Sequence, residues 1–106
     1  MRSIETTEEF DKIISGSKRA LIKFTAGWCP DCKRLDMFIG PIIEEYNEFV
    51  WYEMNRDNFP ELAEKYQVMG IPSLLVFKNG EKMAHLHSAN AKTPEDITDY
   101  LETVPK

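Results

Sequence analysis

Apolar residues recur along this chain with two different periods, and together they predict an α/β domain. Four segments carry an apolar side chain every three or four positions, as amphipathic helices do, and short apolar runs typical of buried strands lie between them. The predicted helices cover residues 7–15, 32–49, 60–66 and 93–101. The predicted strands cover residues 20–25, 50–54, 73–77 and 81–87. The element order is therefore α-β-α-β-α-β-β-α.

The connections between these elements indicate how the strands pair. A helix joins the first two strands, which favours a parallel crossover. Asn79 and Gly80 join the last two strands, and Asn-Gly between apolar runs is a strong hairpin signal. We therefore expect a central mixed β-sheet flanked by helices on both faces.

Composition and charge narrow the classes of function. The 106 residues are 42% hydrophobic, which favours one folded domain over residues 1–106. The net charge is -5 and no block of Lys and Arg occurs, which argues against nucleic acid as a partner. No apolar run reaches the roughly 18 residues of a membrane span, and the N-terminus lacks a signal-peptide core. We expect a cytoplasmic monomer.

The only two cysteines, Cys29 and Cys32, lie two residues apart where a predicted strand meets a predicted helix. A pair with this spacing in a reducing compartment indicates a redox dithiol. The first cysteine would lie at the helix N-terminus, where free N–H groups and the helix dipole stabilise a thiolate. Between them, Pro30 restricts the turn. Asp31 adds a negative charge that should disfavour the thiolate, which predicts a reductant. In the alternative interpretation, Asp31 points into water, which screens most of its charge.

Two motifs carry a resemblance to a known family. Residues 24–33 read FTAGWCPDCK, and residues 70–80 read GIPSLLVFKNG. These motifs, their separation and the order of elements resemble the thioredoxin family over essentially the whole chain. The resemblance implies the thioredoxin fold and thiol–disulfide exchange.

The resemblance also assigns roles to particular residues. It implies that Cys29 is an exposed nucleophile and Cys32 a buried resolving thiol. Trp28 would pack beside the cysteine pair and line the substrate groove. Pro72 matches the cis-proline of the family, and the backbone of Ile71 before it would pair with a substrate chain as an added strand.

Lys23 and Glu53 depart from the family pattern. Thioredoxins usually carry a buried Asp at the position of Lys23 and a Lys at the position of Glu53, so the two charges are exchanged here. We expect an inverted ion pair in which Glu53, or a neutral Lys23, handles the proton of Cys32. In the alternative interpretation, Lys23 extends to the surface and takes no part in the chemistry.

These observations predict a protein disulfide reductase that needs no cofactor beyond its own cysteines. Its expected partners are disulfide-containing proteins and, by resemblance, a thioredoxin reductase as electron donor. Two alternatives are a reductase for mixed disulfides with low-molecular-weight thiols and a non-catalytic binding module. A third alternative is a metal site formed by Cys29, Cys32, His85 and His87. We predict no metal, because the two histidines fall on one face of a strand and that face should point away from the cysteines.

Overall fold

The computed structural model describes residues 1–106 and has a five-stranded mixed sheet at its centre. The strands are β1 (Arg2–Ser3), β2 (Ala20–Thr25), β3 (Val50–Asn55), β4 (Ser73–Lys78) and β5 (Glu81–Leu86). They are ordered β1-β3-β2-β4-β5. The first three strands are parallel to each other, and β4 is antiparallel to β2 and β5. The mixed sheet is thus confirmed, whereas the two-residue β1 was not predicted because it is too short to show a period.

Four helices cover the sheet, as predicted. They are α1 (Thr7–Ile14), α2 (Pro30–Glu45), α3 (Pro60–Lys65) and α4 (Pro94–Thr103), with 3₁₀ turns at Arg56–Asn58 and Ser88–Asn90. The predicted start of α2 is two residues late, because Cys29 caps the helix and Pro30 occupies its first position. The predicted end is four residues late, because Tyr46 leaves the helical conformation (φ -107°, ψ 52°).

Each face of the sheet supports its own apolar core. Leu21 of β2 packs with Leu35 of α2 and Ile97 of α4 on one face. On the other face, Ile22 packs in a core that includes Phe10 of α1. Successive strand residues point to opposite faces, so Lys23 follows Leu21 onto the α2 side of the sheet. A charged residue thereby enters a layer that is otherwise apolar.

The chain connections bring the ends of three strands together at one end of the sheet. Thr25 ends β2 opposite Asn55, which ends β3, and Phe24 lies opposite Ser73, which begins β4. The predicted hairpin joins β4 to β5 through Asn79 (φ 54°) and Gly80 (φ 84°) at the opposite end of the sheet. The loop before α2 therefore lies beside the loop before β4. None of the helices combines the length and apolarity that crossing a membrane requires.

Candidate active site

The cysteine pair lies at the N-terminus of α2, where the sequence predicted it. The Sγ of Cys29 accepts a hydrogen bond from the Cys32 backbone N–H at 3.1 Å. This contact makes the cysteine sulfur the N-cap of the helix. An N-cap acceptor meets the unpaired N–H groups and the positive end of the helix dipole, and both favour a negatively charged sulfur. The Cys29 sulfur therefore lies at the end of α2 where negative charge is best stabilised.

Cys29 is buried, so the expectation of an exposed nucleophile is wrong. Its exposed fraction is 3%, because the sulfur turns inward, 3.7 Å from the carbonyl oxygen of Ile71. Cys29 lines an open groove of about 370 Å³, named here the Cys29 groove. The other residues that line it are Trp28, Pro30, Asp31, Arg56, Met69, Gly70, Ile71 and Ser88.

Trp28 and Ile71 both line the Cys29 groove. Trp28 is 62% exposed, and its indole N–H donates to Asp57 Oδ2 at 2.7 Å, which fixes the ring at the rim. The peptide bond between Ile71 and Pro72 is cis. The N–H of Ile71 takes part in none of the backbone hydrogen bonds of the loops. It remains free to donate to an extended chain in the groove.

Asp31 does not present an isolated negative charge to Cys29. Its carboxylate accepts hydrogen bonds from Lys92 Nζ at 2.7 Å and from Arg34 Nη1 at 2.9 Å. The hydrogen bond from Lys92 is the main cause that lowers the pKa of Asp31 below its ordinary value. Asp31 thus stays ionised, but two cations offset its charge.

Cys32 lies deeper than Cys29 and is protonated at neutral pH. Its exposed fraction is 1%. Burial, and next the hydrogen bond with Cys29, raise the pKa of Cys32 from 9.0 to about 11, although a hydrogen bond with Thr25 opposes the rise. Because a thiol attacks a disulfide only as the thiolate, Cys32 needs a group that accepts its proton.

Two carboxylates lie near Cys32 and share one buried cation. Lys23 is 1% exposed, so the interpretation in which it reaches the surface is wrong. Its ammonium group contacts Glu53 Oε1 at 3.2 Å, which forms the predicted inverted pair, and it also contacts Asp36 Oδ1. Asp36 and Glu53 line a cavity of about 320 Å³ together with Cys32, named here the Cys32 cavity.

Asp36 was missed in the sequence, although a signal for it exists. Asp36 follows Cys32 by four positions on α2, and residues with that spacing share one face of a helix. It also lies on the side of α2 that meets Lys23. Recognising it required knowing that the charge of Lys23 points toward α2.

The metal site considered for Cys29, Cys32, His85 and His87 is not assembled. The rings of His85 and His87 stack on each other with centroids 3.8 Å apart, at the end of β5. No group of three or more His, Cys, Asp or Glu side chains is arranged to hold a metal ion. The two histidines therefore form a stacked pair on the edge strand β5 and are not part of a metal site.

Comparison with known proteins points to one family. The family model for thioredoxin matches residues 2–103. Thioredoxin-1 of Saccharomyces cerevisiae is 35% identical over 86 residues, which are 81% of this chain and 84% of the yeast protein. Thioredoxin AMT13 of Alternaria alternata is 34% identical over 98 residues, 91% of this chain and 82% of that protein. A solved thioredoxin structure from Plasmodium falciparum superposes with a TM-score of 0.85 at 26% identity, and covers 96% of this chain and 97% of its own.

Proposed function

The chain belongs to the thioredoxin family and is a protein-disulfide oxidoreductase. We propose that Cys29 is the nucleophile of the exchange and that Cys32 is the resolving thiol. The observation that supports this assignment most directly is the position of the Cys29 sulfur. It caps α2 at 3.1 Å from the Cys32 N–H, and Cys29 lines the groove beside Ile71. Cys32 is also buried and lines a different depression, the Cys32 cavity.

The proposed reaction has two exchange steps. The Cys29 thiolate attacks one sulfur of a substrate disulfide, so that a Cys29–substrate disulfide forms and the other substrate sulfur leaves as a thiolate. Cys32 then loses its proton and attacks the Cys29 sulfur, which releases the second substrate thiol. The substrate has gained two electrons, and the protein holds a Cys29–Cys32 disulfide. A thioredoxin reductase is the proposed donor that restores the two thiols.

We assign the proton transfer from Cys32 to the carboxylates of the Cys32 cavity. Glu53 and Asp36 face the same space as Cys32, and the Lys23 ammonium holds both carboxylates in place. Glu53 is the proposed acceptor, with Lys23 as a positioning residue. The cavity is large enough to admit water that could carry the proton between them.

Substrate binding is assigned to the Cys29 groove. Trp28 and Pro30 supply apolar surface beside the reacting sulfur. The free N–H of Ile71, fixed by the adjoining Pro72, is the proposed donor to the backbone of the substrate. Recognition through the backbone would let the protein accept many disulfide substrates. We place this activity in the cytoplasm, where a reducing environment keeps both thiols available, and in the monomer.

Reduction of insulin disulfides in the presence of dithiothreitol tests the assignment. The intact protein should accelerate the precipitation of insulin chains, and Cys29→Ser should abolish the acceleration. In the absence of free dithiothreitol, pre-reduced Cys32→Ser should form one mixed disulfide with an insulin chain and stop there. If Cys32→Ser still turns over on a glutathione mixed disulfide while the intact protein leaves insulin unchanged, the protein is instead a reductase for low-molecular-weight mixed disulfides.

A further inference from the structure

The Cys29 groove contains one positive charge that the protein itself does not neutralise. Two ionisable side chains besides the cysteine line the groove, Asp31 and Arg56. Asp31 is fully occupied by Lys92 and Arg34. Arg56 lies in the 3₁₀ turn after β3 and is half-buried in the wall of the groove.

Arg56 differs in this respect from the three other arginines. Arg2, Arg19 and Arg34 each pair with a carboxylate, whereas no carboxylate oxygen lies within 4.0 Å of the Arg56 side-chain nitrogens. The neighbouring Asp57 is directed to the indole of Trp28 instead. Arg56 also stacks on no aromatic ring. Arg56 also lines a neighbouring depression with Asp57 and Glu64, and neither carboxylate pairs with it, so its planar set of N–H donors has no ion-pair partner within the protein.

We propose that Arg56 is a specificity-determining residue that binds the carboxylate of an acidic residue close to the reactive cysteine of a protein substrate. The proposal rests on the proposed role of Cys29 as the nucleophile. Guanidinium groups bind carboxylates through two parallel hydrogen bonds, and partial burial in the groove wall reduces screening by solvent. The net charge of -5 would otherwise repel acidic substrates, so a local cation in the groove decides which of them are accepted.

The geometry limits where the acidic residue can lie. A substrate that pairs with Ile71 as an added strand advances about 3.3 Å per residue. Arg56 lines the same groove as Cys29 and Ile71. We therefore place the acidic residue within about two positions of the substrate cysteine, roughly 7 Å along the strand.

A series of matched peptide disulfides tests this proposal. Each peptide carries one cysteine joined to 2-thiopyridine by a disulfide, and the peptides differ only in having Glu, Gln or Lys one or two positions before or after the cysteine. When Cys29 attacks the peptide sulfur, the bond to the pyridine sulfur breaks and 2-thiopyridone leaves, which is followed by absorbance. For at least one position, the Glu peptide should react roughly fivefold faster than the Gln peptide with the pre-reduced protein.

Variants of Arg56 identify the side chain responsible. Arg56→Gln should reduce the preference for Glu over Gln to less than twofold, and Arg56→Glu should favour the Lys peptide. Lys18→Gln is the matched control, because Lys18 is exposed and forms no ion pair. This substitution changes the net charge by the same amount as Arg56→Gln. That control should keep the full preference for Glu.

The outcomes separate this proposal from the proposed function. Equal rates for the Glu, Gln and Lys peptides at every position, or a preference that survives in Arg56→Gln, would overturn the role of Arg56 and leave the exchange chemistry intact. Failure of the intact protein to react with any of the peptides would instead overturn the assignment of Cys29, and with it the basis of this proposal.

Discussion

Two cysteines separated by two residues acquire different chemistry from their surroundings. Cys29 caps α2 and opens to a groove, whereas Cys32 lies one turn further along the helix with an exposed fraction of 1%. Burial raises the pKa of Cys32 to about 11, so its thiol holds its proton at pH 7. In the proposed reaction, resolution of the mixed disulfide is therefore the step that depends most on a proton acceptor.

Glu53→Gln should make the resolving step strongly dependent on pH. Without the carboxylate, the rate of attack by Cys32 should follow its thiolate fraction and rise about tenfold per pH unit from pH 7 to 10, below the pKa of about 11. At pH 7 we expect a loss of roughly tenfold or more relative to the intact protein. Rapid-quench measurement of the decay of a Cys29–substrate disulfide gives this rate directly.

Glu48→Gln serves as the control for this measurement. It removes the same charge from a largely exposed residue that pairs with Arg19 and lies outside both the Cys29 groove and the Cys32 cavity. Its pH profile should match that of the intact protein. Identical profiles for Glu53→Gln and the intact protein would exclude Glu53 as the proton acceptor.

Among the secondary-structure elements, the edge strand β5 carries an unusual group of basic side chains. The half-buried His85 has Lys82 Nζ at 3.2 Å from its Nδ1, and its ring stacks on His87. An ammonium group can only donate, so Nδ1 accepts and the neutral ring carries its proton on Nε2, which is buried without a partner. Burial, and next the charges of His87 and Lys82, lower the pKa of His85 from 6.5 to about 4.

The protein should therefore lose stability in mild acid through His85. The folded state disfavours the charged ring, so the unfolded state binds more protons between pH 6.5 and 4, and the free energy of unfolding falls as the pH falls through that window. Because the ring is partly screened by solvent, we expect a loss of about 1 kcal/mol from this residue. Urea unfolding at pH 7 and pH 4.5, for the intact protein and His85→Leu, measures it.

His87→Gln is the comparison that isolates His85. Burial of His85 is the largest cause of its lowered pKa, so most of the acid sensitivity should remain when His87 is replaced. An equal loss of stability in acid for His85→Leu and the intact protein would contradict the prediction.

The sequence predicted the helices and strands well but placed their ends less accurately. Local signals were sufficient for the Asn79-Gly80 hairpin and for α4, where Thr93 accepts from the Asp96 N–H and Asp96 in turn caps the N–H of Thr93. The end of α2 was misjudged because apolar periodicity continues after the backbone has left the helix at Tyr46. β1 exists only through its pairing with β3, which no local pattern of two residues can reveal.

For the whole molecule, the residues that the sequence misjudged are those whose partners are distant in the chain. The cysteines, Trp28 and the Ile71-Pro72 pair were found because their motifs are contiguous. Arg34 is a partner only three positions from Asp31, but Lys92, whose hydrogen bond is the main cause of the lowered pKa of Asp31, lies 61 positions away. The burial of Cys29 likewise depends on a contact with Ile71, 42 positions away. Charge balance at the site is therefore a property of the tertiary fold.

The three-residue cluster of Lys23, Asp36 and Glu53 should accordingly behave as one unit in global stability. Either carboxylate alone still neutralises the buried ammonium, so Asp36→Asn and Glu53→Gln should each lower the free energy of unfolding by only about 1 kcal/mol. The double variant leaves Lys23 buried and unpaired, and a buried charge without its partner costs roughly 3–5 kcal/mol.

Urea unfolding at pH 7 of the two single variants and the double variant measures this coupling as a double-mutant cycle. Adding Lys23→Met to the double variant is the decisive comparison, because it removes the unpaired charge and should restore most of the lost stability. If the single effects simply add and Lys23→Met restores nothing, Lys23 does not depend on these carboxylates. The kinetic effect of Glu53→Gln on Cys32 would then have to arise without the ammonium that the two acids share.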